Sequence, residues 1–280
     1  MLEDEFIDVF GKAMRGTRTS ADRLAESTGF SESAIAAWAK GSAVPNDDQA
    51  QQIARSLQLD PTKFADAAAV RWHPEPLELP DVRVHAQQST VPSNGYLFFL
   101  EGSRRAALVD PAGDPQKLIR IVRERGYDLQ YILITHKHDD HCDAAPAVAA
   151  AFPQATIVMH DADVFAIGKL ASNATLVRDG EELDFGDDAK IRMLHTPGHT
   201  DGSTSFVYGS AVFTGDTLFA ASVGGAYGDK STYADILKSI RSRLLTLPDE
   251  TVVMPGHGPP SKIRWEKDHN PFFPVQGGIA

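Results

Sequence analysis

The sequence has a single cysteine in 280 residues, Cys142, so no internal disulfide can form. The same scarcity excludes a soft, thiolate-rich metal site. The chain also lacks a basic excess: 27 Lys+Arg stand against 38 Asp+Glu, a formal net charge of -11. A surface of that sign argues against a broad nucleic-acid interface. No apolar run approaches the ~20 residues that a membrane span needs, so no membrane partner is expected. The opening Met1-Leu2-Glu3-Asp4-Glu5 is acidic and unlike the charged-then-apolar start of a leader. The expectation is a cytoplasmic protein, not an exported antibiotic-degrading enzyme.

What is present is a globular composition, 42% hydrophobic, at a length that holds one large domain plus a small accessory. The stretch Thr135-His136-Lys137-His138-Asp139-Asp140-His141 packs three histidines and two aspartates into seven residues. It follows the apolar run Tyr131-Ile132-Leu133-Ile134, which reads as a strand. His136 and His138 are two apart, so an extended backbone turns both imidazoles to one side. Imidazole and carboxylate are ligands for zinc and similar transition metals.

More ligand-type residues end later strands. His195-Thr196-Pro197-Gly198-His199-Thr200 follows a strand signal over 190–194, Thr214-Gly215-Asp216-Thr217-Leu218-Phe219 one over 211–214, and Pro255-Gly256-His257-Gly258-Pro259 one over 251–254. Each puts His or Asp beside glycine, which permits tight turns and close approach to a ligand. The spacings are 58 (141 to 199), 17 (199 to 216) and 41 (216 to 257). Hairpin strands are expected at 96–100 and 106–109, a helix capped by Asp114 after them, a helix over 144–151 and strands near 155–160, 182–185 and 203–208. A later helix carries Ile236, Leu237, Ile240, Leu244 and Leu247 on one face. Strands mixed with helices predict an α+β fold with covered sheets.

Together these motifs resemble the metallo-β-lactamase superfamily, over residues 80 to 280. Gly215 to Phe219, Leu237 to Leu247, Pro255 to Pro259 and Asn270-Pro271-Phe272 resemble its compact glyoxalase II-like hydrolases. The resemblance implies an αββα sandwich with the metal site at one edge of the two sheets. It implies that His136, His138 and His199 hold one metal, that Asp140, His141 and His257 hold a second, and that Asp216 bridges them. Five imidazoles and two carboxylates suit two divalent transition metal ions, zinc first, with iron or manganese as alternatives. A hydroxide shared by the two ions would attack a carbonyl carbon. Asp140 is the candidate catalytic residue that orients the hydroxide or takes its proton.

The other candidates have weaker roles. Asp139 is expected to be solvated or to support a ligand, His195 to hydrogen-bond from the layer behind the ligands, and Cys142 to pack. His160 and His269 are expected to be structural or exposed. Thr135, Thr196 and Thr217 could orient ligands. Gly225 stands where such relatives often carry an Arg that helps recognise glutathione, and Lys230 is the only cation expected nearby.

Residues 1–70 differ from the rest. They are Ala-rich and helical in pattern, with helix starts at Ser20, Ser31, Asp47 or Asp48, and Asp60-Pro61. Leu24 to Gly41, with Val44-Pro45 and Ile53 to Leu57, resembles the phage-repressor-like helix-turn-helix family. That resemblance implies a small all-α helix-turn-helix-like domain whose second motif helix, near Ser31 to Lys40, enters the major groove in a DNA-binding member. Its outward candidates here are Glu32, Ser33, Ala36 and Ala37, with no Arg, Asn or Gln placed to pair with a base edge. The segment holds seven Lys+Arg against eleven Asp+Glu, the wrong sign for phosphate. Dimerisation, giving a homodimer through this domain, or covering the active-site mouth is the competing use. Residues 71–80, with three prolines in seven residues, read as a linker in which His73 is solvated, and 81–280 as the catalytic domain.

Three functions fit. The first is a dinuclear metal-dependent hydrolase of a small thioester, ester or lactone. The second is a mononuclear iron persulfide dioxygenase. The third is a metabolite-sensing regulator that binds DNA.

Overall fold

A computed structural model describes residues 2–77, 82–88, 92–227 and 230–274. Five helices open the chain: α1 (Phe6–Gly16), α2 (Ala21–Thr28), α3 (Glu32–Ala39), α4 (Asp47–Ser56) and α5 (Pro61–Ala68). Caps set their limits. Ser20 and Ser31 precede α2 and α3, and the Ser31 hydroxyl accepts from Ala34 N. Gly29 closes α2 in the left-handed region at φ 73°, where glycine carries no Cβ penalty. Asp60 accepts from the Thr62 and Lys63 amides, ahead of Pro61 in the first turn of α5. α4 is capped by Asn46, not by Asp47 or Asp48; its amide oxygen accepts from Gln49 N, and Gln49 returns a bond to Asn46 N. The two aspartates take the first turn instead, where they meet the positive end of the helix dipole. α1 was not foreseen.

Two six-stranded sheets follow. The first runs in chain order: β1 (Val82–Gln88), β2 (Pro92–Phe99), β3 (Arg105–Val109), β4 (Asp128–Leu133), β5 (Thr156–His160) and β6 (Thr175–Val177). β3, β4, β5 and β6 are parallel neighbours. Parallel pairs need crossovers: α6 (Pro115–Glu124) links β3 to β4, α8 (Ala145–Ala151), after the one-turn α7 (Asp139–Cys142), links β4 to β5, and 3-10 turns over Val164–Asn173 link β5 to β6. The second sheet includes β7 (Glu182–Gly186), β8 (Ala189–His195), β9 (Thr204–Tyr208) and β10 (Ala211–Gly215). After a separate hairpin, β11 (Leu218–Phe219) with β12 (Ser222–Val223), and helix α9 (Tyr233–Ser239), it is completed by β13 (Val252–Pro255) and β14 (Ser261–Lys262). The last described helix is α10 (Ile263–His269).

Side-chain alternation separates the layers. Phe98, Val109, Leu133, Phe206, Phe213 and Met254 pack between the sheets. Their neighbours Leu97, Leu108 and Ile132 point the other way, onto Leu118, Val122 and Val148. Leu194, Val212 and Val253 leave the outer face of the second sheet and pack with Ile236, Ile240 and Ile263. The order is helix, sheet, sheet, helix. The expected helix over 236–247 is α9 followed by a π-helical turn at Ile240–Leu244, which keeps Ile240, Leu244 and Leu247 on the buried side.

The apolar cluster outside the second sheet does not stop at α9 and α10. It takes in Phe6, Phe10, Ile35, Ile53 and Phe64 of the opening helices. On α3, Ile35 and Trp38 are buried, while Glu32, Ser33 and Ala36 are exposed and Ala37 is half-buried. Residues 71–77 have no regular structure, and Trp72 stacks on His269 at 4.4 Å; His73 is exposed. The rest of the expected linker, Glu78, Leu79 and Pro80, and the boundary at residue 81 lie outside the described residues. Among the described residues no helix is long and apolar enough to cross a membrane.

Candidate metal centre

The turns after β4, β8, β10 and β13 meet, and each delivers ligand-type side chains. His136, His138, His199 and Asp216 form one group, with donor atoms within 4.8 Å of one another. Asp140, His141 and His257 form a second. Asp216 touches both: its Oδ2 lies 3.5 Å from His199 Nε2, and its Oδ1 lies 3.3 Å from His141 Nε2. All seven candidate ligands are therefore brought together. The expected αββα layering also places them at strand ends, where the backbone turns and polar atoms escape the core.

The imidazoles are aimed by what their far nitrogens touch. His199 Nδ1–H donates to Gly225 O at 2.7 Å, His257 Nδ1–H to Pro92 O at 2.7 Å, and His141 Nδ1–H to Asp110 Oδ2 at 3.0 Å. This fixes which nitrogen faces inward. His141 and His257 then point Nε2 atoms at each other, 3.4 Å apart. His199 Nε2 faces His138 Nδ1 at 2.9 Å. His136 Nε2 and Asp216 Oδ1 are buried without a hydrogen-bond partner. Converging lone pairs and orphaned polar atoms are costly in a buried setting unless a cation is shared among them. The donor set therefore fits two divalent cations.

The electrostatics divide the groups. Burial, reinforced by neighbouring imidazoles, pushes His136 well below its ordinary value and lowers His138. Burial likewise brings His199 to about 4 against the pull of Asp216. These rings are neutral at pH 7, with lone pairs ready. In the second group burial is outweighed. Hydrogen bonds to Asp140 and Asp216 raise His257 to about 11, and Asp216 and Asp110 raise His141. Asp216 is held well below the carboxylate range, its burial overcome by His141, His257 and His199. Asp140 is also lowered, its burial overcome by His257 and His141. Cations in the second group must displace protons.

Asp110, just past the expected strand at 106–109, lies directly behind the candidate donors. Its Oδ1 accepts from Thr135 N and its Oδ2 from Thr135 Oγ1, both at 2.8 Å, while Oδ2 also meets His141. Thr135 Oγ1 in turn contacts His136 Nδ1 at 2.9 Å, so this threonine orients a candidate ligand as expected. Thr196 and Thr217 contact each other at 3.3 Å instead of a histidine. Asp163, also unforeseen, is fully buried and joins two turns: its carboxylate accepts from Lys137 N and Thr200 Oγ1.

The remaining candidates stand apart. His195 Nε2 meets Asp201 O at 3.0 Å and its ring stacks on His160 at 4.1 Å, so it supports a turn and not a candidate ligand. Asp139 is exposed on α7. Cys142 is buried, and burial pushes its thiol up to about 12, which leaves it inert. Lys230 is not the only cation near the loop, because Lys12 Nζ reaches Val223 O at 2.8 Å. Gly228 and Asp229 of that loop lie outside the described residues. Tyr227 is 63% exposed, with its ring edge-on to His199 at 5.5 Å and near His138 at 6.3 Å. A cavity of about 230 Å³ lies behind the hairpin, lined by Phe6, Val9, Lys63, Val70, Trp72 and Ala221, away from the converging donors.

The sequence profile of the metallo-beta-lactamase superfamily matches residues 90–257, which include every candidate ligand. The chain belongs to the metallo-beta-lactamase superfamily. Within it, the chain is 31% identical over 190 residues to hydroxyacylglutathione hydrolase GloC of Haemophilus influenzae, covering 62% of this chain and 89% of that one. The match to the probable metallo-hydrolase YqgX of Bacillus subtilis is 30% over 198 residues, 65% of this chain and 93% of the other. Among solved structures, ETHE1 from Myxococcus xanthus superposes with a TM-score of 0.59 at 33% identity, covering 68% of this chain and 83% of that one. TTHA1623 in a di-iron-bound form superposes at 0.56 and 30%, covering 67% and 98%. Membership of this superfamily, with hydrolase-named relatives, agrees with a metal-dependent hydrolase.

Proposed function

We propose that the chain is a dinuclear metal-dependent hydrolase of a small thioester, ester or lactone. The observation that carries this reading is Asp216 between two complete donor groups. His136, His138 and His199 would hold one divalent cation, Asp140, His141 and His257 the second, and Asp216 both. Such ions lower the pKa of bound water and polarise a carbonyl, zinc being our first assignment.

The chain's own residues do the rest. Of the two candidate carboxylates, Asp140 is the more open, at 20% against 10% for Asp216. It is the carboxylate that a water at the mouth can reach, and we assign it the proton from the attacking water. Ser93 Oγ holds the Asp140 carbonyl at 2.5 Å, which fixes the start of α7. Tyr227 offers an exposed ring beside His138 and His199, against which an acyl group would lie. Gly225 leaves no side chain to bind an anionic thiol carrier, so we assign a small acyl substrate in place of a glutathione thioester, although a relative's name carries glutathione.

Metal analysis of the purified protein, with a thioester, ester and lactone panel and the His138→Ala variant, tests this. About two zinc, iron or manganese ions per chain and turnover lost in the variant are expected. The second reading, an iron persulfide dioxygenase, draws on the 33% identity to ETHE1. One iron per chain with oxygen uptake on a persulfide would replace the hydrolase with it. The helix-turn-helix likeness of the opening helices we assign to a scaffold for the enzyme, because the exposed side of α3 carries Glu32 and no Arg, Asn or Gln. A gel shift at low salt checks this, and DNA binding that falls steeply with salt would bring the regulator forward.

A further inference from the structure

The N-terminal segment reaches the hairpin that borders the metal centre. Lys12 on α1 donates to Val223 O at 2.8 Å, pairs with Asp4, and lies 5.0 Å from the centre of the Phe219 ring. Asp4 also accepts from Ser222 Oγ. Both charged side chains are nearly buried, 8% exposed for Asp4 and 12% for Lys12. A buried ion pair gives little net stability over an apolar pair of the same size, so its consequence is geometric.

That geometry has no slack. Val223 is followed by Gly224, where a Cβ would lie 1.7 Å from Asp216 O and 3.3 Å from His199 Nδ1. Next comes Gly225, whose carbonyl holds His199 Nδ1–H. On the opposite side, Glu266 accepts from Ala221 N at 3.1 Å and Asn270 Nδ2 donates to Ser222 O at 2.9 Å. Ala221 sits at φ 58°, a left-handed conformation that a non-glycine residue keeps only where its surroundings impose it.

We propose that Asp4 and Lys12 are positioning residues of the metal centre. They pin the β11–β12 hairpin from the N-terminal side, so that Gly225 O presents His199 with Nε2 inward. This rests on the reading of His199 as a ligand, and it gives residues outside the matched superfamily region a part in the site.

The test uses the full chain with zinc alone and with cobalt(II) alone. The double variant Asp4→Ser/Lys12→Met removes both charges together, and Lys12→Arg keeps the cation. Chelator competition should show zinc bound about 10–100-fold more weakly in the double variant, the loss typical of residues that orient a ligand. Its cobalt visible bands should shift, while Lys12→Arg should match the wild type. Ser222→Ala, a change of one atom, should weaken zinc several-fold and covers the case in which the double variant does not fold. Lowered thermal stability with zinc affinity and cobalt bands unchanged would make the pair a structural staple and overturn the proposal. So would a Ser222→Ala protein indistinguishable from wild type. A wild type that takes up neither zinc nor cobalt and holds no iron or manganese overturns this and the hydrolase reading together. A wild type that binds zinc but hydrolyses nothing on the panel overturns only the latter.

Discussion

Asp110 shows how much of the site lies one layer behind the donors. Its carboxylate accepts from Thr135 N, Thr135 Oγ1 and His141 Nδ1. In Asp110→Asn one of those donors would face an amide N–H. Zinc affinity should fall about 10–100-fold with the fold intact, read by chelator competition; an unchanged affinity would reduce Asp110 to a turn residue. Gly256→Ala is a harsher change, because its Cβ would fall 2.2 Å from Asp216 Oδ1 and 2.7 Å from His141 Cε1. Metal analysis should find the stoichiometry of this variant below that of the wild type. The candidate donors were legible in the sequence because each is His or Asp just past an apolar strand. Asp110 was not, since a single Asp after Ala106–Val109 looks like any strand terminator. Its role depends on β3 pairing in parallel with β4, Val109 beside Leu133, and no local pattern records that register.

At the scale of elements, caps were readable and short hairpins were not. Ser31, Asp60 and Asp114 mark helix starts through side-chain bonds to the next turn. β11 and β12 are two residues each, too short for alternation to show, and α10 has no capping side chain. Yet these are the elements that shape the site's border, through Glu266. This side chain is fully buried, and burial raises it to about 7, against hydrogen bonds from Asn270 Nδ2 and the Ala221 amide that favour the charged form. The unfolded chain releases that proton near 4.5, while the folded chain holds it to about 7. The folded state then binds more protons between those values, so stability falls as pH rises through this window and levels off above it. The full span is worth about 3 kcal/mol at ~1.4 kcal/mol per unit. Glu266→Gln should flatten that part of the profile in urea titrations run from pH 4.5 to 7. A slope that survives the substitution would assign the effect to other groups.

At the scale of the molecule, the opening helices and the sandwich share one apolar cluster. Phe10 is fully buried, stacked on Phe6 at 5.7 Å, and Phe6 meets Phe64 at 5.4 Å. The same cluster holds Leu218 and Val223 of the hairpin, Ile236 of α9 and Phe272 after α10. A composition shift near residue 70 suggests a boundary, but composition does not report which faces are buried against each other. Packing of this kind makes unfolding cooperative, because exposing the helices also strips the outer face of the second sheet. Phe10→Ala should therefore cost about 3–5 kcal/mol and lower the midpoint of the whole transition. Urea unfolding should follow one curve by tryptophan fluorescence, with Trp38 in α3 and Trp265 in α10, and by far-ultraviolet circular dichroism. Two separated transitions, with only the first moved by Phe10→Ala, would show that the helices fold as an independent unit. The hairpin would then lose Asp4 and Lys12 before the sandwich opens, and zinc affinity should drop at the first transition.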